Sequence, residues 1–232
     1  MEQIEDNPHR HLEDLQQIRT IMERSSRFIS LSGFSGVFVG IFALIGEYIA
    51  VQHFHVDPFN FDLNSYGVLH GLPFFGNEYA TPLVPGWHFS LKYDFTYFMV
   101  DAVIVLLLSL FAATTMSWRR ARINGDKVWN AASKRLLANL FIPLAAGGIF
   151  CIAMLYQHYV DLIIPATLIF YGIALFNAGK YTLNDIRFLG IIEICLGLLC
   201  CFFTPISLVL WGLGFGVMHI VYGIVMYYKY ER

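Results

Sequence analysis

Apolar residues run through this chain in long blocks separated by short polar breaks. Six blocks stand out: Phe28–Gln52, Asp94–Ser117, Leu136–Gln157, Val160–Gly179, Ile186–Phe203 and Ile206–Tyr228. Each holds about twenty residues, the length of helix that crosses a hydrocarbon core ~30 Å thick. Lipid offers the backbone no water, so each block must satisfy its own N–H and C=O groups as a helix. The alternating ten-residue segments of a membrane barrel do not occur. The pattern predicts an all-α polytopic membrane protein of six transmembrane helices, filling residues 28–232 and leaving no room for a separate soluble domain.

Two segments break this rhythm. In residues 1–27, Leu12, Leu15, Ile18 and Met22 recur at helical spacing behind Asn7 and Pro8, which suit a helix start. This predicts a cytoplasmic amphipathic helix that lies along the membrane face, packs under the bundle, docks a cytosolic protein partner or pairs two protomers. A cleavable signal is not expected, because the first block is too long and lacks a small-residue cleavage site. The connection 53–93 carries Pro58, Pro73, Pro82 and Pro85 among ten aromatic side chains, including Phe54, Phe74, Phe75 and Trp87. Disordered linkers lack such aromatics, so an ordered outer cap between helices 1 and 2 is expected, acting as a lid or a plug.

Composition agrees with the pattern: 57% of residues are hydrophobic, 14% are charged, and the mean hydropathy is +0.58. Soluble domains carry about 25% charged residues. A nucleic-acid binder, a disulfide-stapled secreted domain and a disordered chain are thereby excluded. Charge placement sets the orientation. Arg10, Arg19, Arg24, Arg27, Arg119, Arg120, Arg122, Lys127, Lys134, Arg135, Lys180, Arg187, Lys229 and Arg232 all fall on one side of the predicted bundle, and Lys92 alone on the other. The positive-inside rule then puts both termini in the cytoplasm. Cys151, Cys195, Cys200 and Cys201 all lie inside apolar blocks and imply no disulfide or redox pair.

Small residues recur four apart, at Ser32, Gly36 and Gly40 and at Gly212 and Gly216, with Gly223 a heptad further on. This spacing lets helix backbones approach closely in lipid. It predicts tight packing of helices 1 and 6, within one protomer or across a homodimer.

Ionisable groups inside spans are costly and are functional candidates by default. Away from the span ends there are Glu47, Asp101, Glu193 and His219, three acids and one histidine with no lysine or arginine to pair them. Counted from the loops, Glu47 and Asp101 fall at an outer level and Glu193 and His219 at an inner one, where facing helices allow a carboxylate–imidazole hydrogen bond. These four are the candidate proton, cation or ligand groups. Near the outer ends, His53, His55, His88, His158 and Asp161 form a mixed imidazole and carboxylate set that suits a divalent metal, although no two have a recognised ligand spacing.

Gly33-Phe34-Ser35-Gly36-Val37 with His219 is similar to the Gly-x-Ser-Gly and last-helix histidine of rhomboid proteases. That family places its serine on a middle helix near the outer face and carries an earlier histidine and asparagine. This chain does neither, so Ser35 reads as a helix-packing residue. Arg24-Ser25-Ser26-Arg27-Phe28 and Gly214-Phe215-Gly216-Val217-Met218-His219 resemble the ends of small uncharacterised integral membrane proteins of bacteria. That resemblance implies a bacterial cytoplasmic (inner) membrane and brings no activity with it.

Three functions are left open at this level. The first is a non-enzymatic sensor or partner subunit working through the outer cap and the cytoplasmic helix. The second is a small proton- or cation-coupled transporter built on the intramembrane carboxylates. The third is a membrane-embedded metal-dependent enzyme.

Overall fold

The computed structural model describes residues 32–54, 94–125, 129–157, 159–203 and 206–232. The predicted N-terminal helix and nearly all of the outer cap lie outside these. Every element among the described residues is helical. In chain order they are α1 (Gly33–Phe54), α2 (Asp94–Ile123), α3 (Ala131–Tyr156), α4 (Ile163–Ala178, entered through a 3-10 turn at Val160–Leu162), α5 (Asp185–Phe202) and α6 (Ser207–Tyr230).

Among the described residues, α1, α2, α3 and α6 are long and apolar enough to cross a membrane. The other two depart from the expected pattern for physical reasons. At 16 residues, α4 spans about 24 Å, short of a ~30 Å core. In 18 residues α5 carries three charges, Asp185, Arg187 and Glu193. Helix ends also run beyond the apolar blocks: α2 continues six residues past Ser117, and α3 starts five residues before Leu136. Both extensions are polar. The α3 start is fixed by Asn130, whose Oδ1 accepts the Ser133 N–H at 2.8 Å while Ser133 Oγ accepts the Asn130 N–H at 2.9 Å.

The helices assemble as two groups. One group is α1 held between α2 and α6, and the other is α4 held between α3 and α5, with lighter contacts from α6 to α4 and α5 joining them. Glycine makes both central contacts possible. A Cβ at Gly36 would stand 3.1 Å from Gly223 Cα and 3.2 Å from the His219 carbonyl oxygen, and one at Gly223 would stand 2.6 Å from Val37 N. The small-residue stripes of α1 and α6 are thus spent on each other within one chain. In the second group Gly172 and Gly190 face each other, each with the other's carbonyl oxygen where a Cβ would be. The outer faces of α2 and α3 expose Val103, Leu106, Leu107, Phe111, Ile142 and Ile149, as lipid contact requires.

One end of the bundle is tied by charged groups. Arg120, at the end of α2, pairs with Glu231 and donates from Nη2 to the Tyr230 carbonyl oxygen at 2.5 Å, and Glu231 also accepts the Gly33 N–H at the start of α1. Lys229 Nζ and the Tyr230 hydroxyl each donate to Asp185 Oδ2 at 2.8 Å, binding α6 to the start of α5. Burial pushes the Asp185 carboxyl up, but these two hydrogen bonds and the Lys229 charge outweigh it and hold the group below the usual carboxylate range. A carboxyl depressed in the fold contributes stability that is full above its unfolded pKa and is lost as pH falls through its folded one. Asp185→Asn should therefore lower the melting temperature at neutral pH and have a vanishing effect as the buffer is acidified below the carboxylate range. Equal melting curves for variant and wild type at neutral pH would show that the tie contributes nothing.

Candidate functional site

The middle of α6 is not α-helical. Between an α-helical start at Ser207–Trp211 and an α-helical end at His219–Tyr230, the segment Gly212–Met218 is wound as a π-helix. Such segments are rare and gather at functional sites. Three buried glycines on alternate positions, Gly212, Gly214 and Gly216, present bare backbone along this stretch. Gly216 takes the Leu44 side chain of α1. The other two take carboxyl groups.

Glu47 of α1 rests against Gly212, so closely that any side chain there would collide with its carboxyl. Glu193 of α5 rests against Gly214, its Oε2 2.5 Å from where a Cβ would stand. The third acid, Asp101 of α2, places Oδ2 3.3 Å from the Cβ position of Gly46, the residue before Glu47. Glu47 and Glu193 are therefore each seated on a glycine of α6, while Asp101 stands beside Gly46, whose Cβ position is closer to the Val105 side chain. Glu193, carried by α5 and seated on α6, lies at the joint between the two helix groups.

This arrangement corrects the two-level expectation for Glu47 and Glu193. Their seats are two residues apart on α6, a height difference of about 3 Å. They approach from different sides of that helix. The outer ends of α1 and α5, at Phe54 and Phe202, lie within two residues of the block edges, so the difference comes from how these helices stand against α6 and not from where they end.

Glu193 is fully buried, at 0% exposure. Neither carboxyl oxygen makes a hydrogen bond among the described residues, and the nearest polar contact is Oε1 to His219 Nδ1 at 3.4 Å. His219, 5% exposed, directs its ring to two other partners. Nδ1 lies 3.0 Å from the Gly214 carbonyl oxygen and Nε2 lies 2.8 Å from the Tyr171 hydroxyl of α4. A carbonyl only accepts, so Nδ1 carries a proton, and a neutral ring then accepts the Tyr171 O–H at Nε2. Phe215 stacks on the imidazole at 5.9 Å and packs against Tyr171 at 4.7 Å, walling the group with aromatic carbon. The expected carboxylate–imidazole hydrogen bond of Glu193 and His219 is not formed; the two groups stand 3.4 Å apart, and His219 bonds Tyr171 and Gly214 instead.

The remaining candidates are arranged differently. Ser35 Oγ donates to the Ser32 carbonyl oxygen at 2.5 Å, while His219 is engaged with Tyr171 and Gly214. The serine and histidine of the rhomboid-like pattern are thus committed elsewhere. His53 is stacked on Tyr97 at 3.7 Å, and Asp161 is exposed in the turn before α4. His55, His88 and His158 lie outside the described residues. Among the described residues no three histidine, cysteine, aspartate or glutamate side chains gather as a metal site would require. The four cysteines are free thiols.

Tyr171 and the π-helical turn were not singled out by the sequence reading, yet each leaves a mark there. Tyrosine belongs at membrane interfaces, where its hydroxyl meets water, and one at the centre of a span needs a buried partner. Glycines two apart, unlike glycines four apart, do not line one face of a helix and so serve two neighbours. No protein-family model matches the chain, and no curated protein or solved structure matches it.

Proposed function

We propose that the chain is a small cation-coupled carrier, with the proton counted among the cations, and that Glu193 is its working carboxyl. The observation that carries this reading is the Glu193 side chain itself, fully enclosed and without a hydrogen bond among the described residues. A bare ionised carboxylate in such a place costs several kcal/mol. Structural acids are instead paired or hydrogen-bonded. A group held ready for a mobile positive charge has reason to remain without a hydrogen bond, with only the His219 ring close by.

Position supports the same reading. Glu193 sits on α5 against Gly214 of α6, at the joint between two helix groups, and carriers work by rocking one bundle against another around a site at their interface. The interrupted helix beside it, with small glycine contacts rather than interlocked side chains, suits movement at that joint. In this proposal all six helices cross a bacterial cytoplasmic membrane and the end tied by Arg120, Lys229 and Asp185 faces the cytoplasm, in keeping with the distribution of basic residues.

The test is reconstitution of the full chain in sealed vesicles, with proton, sodium, potassium and magnesium gradients imposed in turn. At least one gradient should collapse faster than in protein-free vesicles. Glu193→Gln should return that rate to background, and Glu47→Gln should slow it. Vesicles that hold all four gradients as well as protein-free ones would sink the carrier reading.

A further inference from the structure

We infer that the species handled at Glu193 is a proton, passed between Tyr171, His219 and Glu193 as a three-membered relay, an inference that rests on the carrier reading above. Geometry and packing carry it. Hard metal cations take about six or more oxygen ligands. Around Glu193 stand the Gly214 backbone and the fully buried Leu168 side chain, and among the described residues no cluster of three or more carboxylate, imidazole or thiol side chains gathers there. The side chain is enclosed so closely that a Cβ on Gly214 would stand 2.5 Å from Oε2 and 2.9 Å from Leu168 Cδ2. A proton needs no coordination shell and no space.

The groups in reach of the carboxyl are those a proton would use. From α6 comes the His219 imidazole, 3.4 Å from Oε1, and from α4 comes the Tyr171 hydroxyl, 2.8 Å from the far ring nitrogen. From α1, Glu47 lies on another side of α6 at Gly212. Among the described residues, the lysine and arginine ion pairs lie with Glu231 and Asp185 at the bundle end, and none reaches Glu193.

The transfer balances as follows. Tyr171 gives its hydroxyl proton to His219 Nε2, and its oxygen takes a replacement from a hydronium ion of the bathing solution, which leaves as water. The imidazolium so formed gives its Nδ1 proton to Glu193 Oε1, breaking an N–H bond and making an O–H bond. The products are a neutral carboxylic acid and a neutral imidazole with its proton on Nε2. One proton has entered and no charge is left on the ring. The reverse sequence releases it.

The experiment is infrared difference spectroscopy of the full chain in vesicles, comparing acid with alkaline buffer. A carbonyl stretch of a protonated carboxylic acid should appear in the wild type, be missing in Glu193→Gln and be displaced rather than lost in Glu193→Asp. Its titration midpoint should be unmoved by sodium, potassium or magnesium. Removing one hydrogen bond from the relay with Tyr171→Phe should shift that midpoint by about one pH unit. A midpoint that follows the sodium, potassium or magnesium concentration would overturn the proton assignment and leave the carrier reading standing, with a metal cation in its place. An unmoved midpoint in Tyr171→Phe would overturn the relay. A band that never titrates between about pH 4 and pH 10 would make Glu193 a permanently neutral structural group and defeat both readings.

Discussion

Replacing Gly40 with leucine is expected to lower the melting temperature of the purified chain by about 5–10 °C, because overpacking costs roughly 1–3 kcal/mol and backbone offers no rotamer to yield. Gly40 sits where α1 meets α6, with the Gly216 carbonyl oxygen 2.5 Å and Ile220 N 3.0 Å from where a Cβ would stand. Neither atom moves unless α6 moves. Because α1 touches α6 through one backbone-to-backbone seam, a wedge at Gly40 also loosens Gly36 against Gly223. Gly148 is the matched control. It is a helical glycine in α3 with nothing within 4 Å of its Cβ position, so Gly148→Leu should leave melting unchanged or slightly raised. If the two variants melt alike, the glycine seam is not what holds α1 to α6.

The second large effect is expected from a single methyl group. Gly214→Ala keeps every ionisable residue in place but puts carbon where the Glu193 carboxyl now lies. The carboxyl must swing or α5 must back away. A displacement cost of about 1–3 kcal/mol corresponds to a roughly 5- to 150-fold fall in the rate at which vesicles lose the gradient the wild type collapses. Alanine favours helix over glycine, so thermal stability should fall far less than transport. A transport rate equal to wild type would mean that the seat of Glu193 on Gly214 has no part in function.

How much of this was legible in the sequence differs from residue to residue. The class of fold was readable because runs of about twenty apolar residues have one solution in lipid. The packing of α1 on α6 was readable because glycines four apart stand on one face of a helix. Glu47, Asp101, Glu193 and His219 stood out because, away from the ends of the apolar blocks, no lysine or arginine accompanies them. Hidden from the sequence was which helix each acid faces. Counting from loop edges assigned depths, but those edges do not say how α1 and α5 stand against α6. The π-helical winding of Gly212–Met218 depends on its neighbours, since glycine permits that geometry without demanding it. Tyr171 was invisible as a site residue because its partner lies 48 positions away, and the sequence carries no periodicity that joins them.

The carboxyl seats on α6 also revise what a transporter would look like here. Counting from the loops predicts stations stacked along the membrane normal, one pair above the other. Glu47 and Glu193 instead meet α6 two residues apart, on different sides of it, with Glu193 at the joint. Such a joint is opened by separating the two helix groups, so access to Glu193 from water becomes the central issue. In the present arrangement it has none.

The most direct measurement is therefore the aqueous accessibility of position 193. Cys151, Cys195, Cys200 and Cys201 would be replaced by alanine or serine, Glu193→Cys introduced, and the chain reconstituted in sealed vesicles. A membrane-impermeant thiol reagent would then be applied from each side in turn, and the modified fraction read by mass spectrometry. The account predicts slow modification from both faces, because a carrier must open its site to each side. Complete protection from both faces, under conditions that modify the same cysteine in the denatured chain, would contradict it.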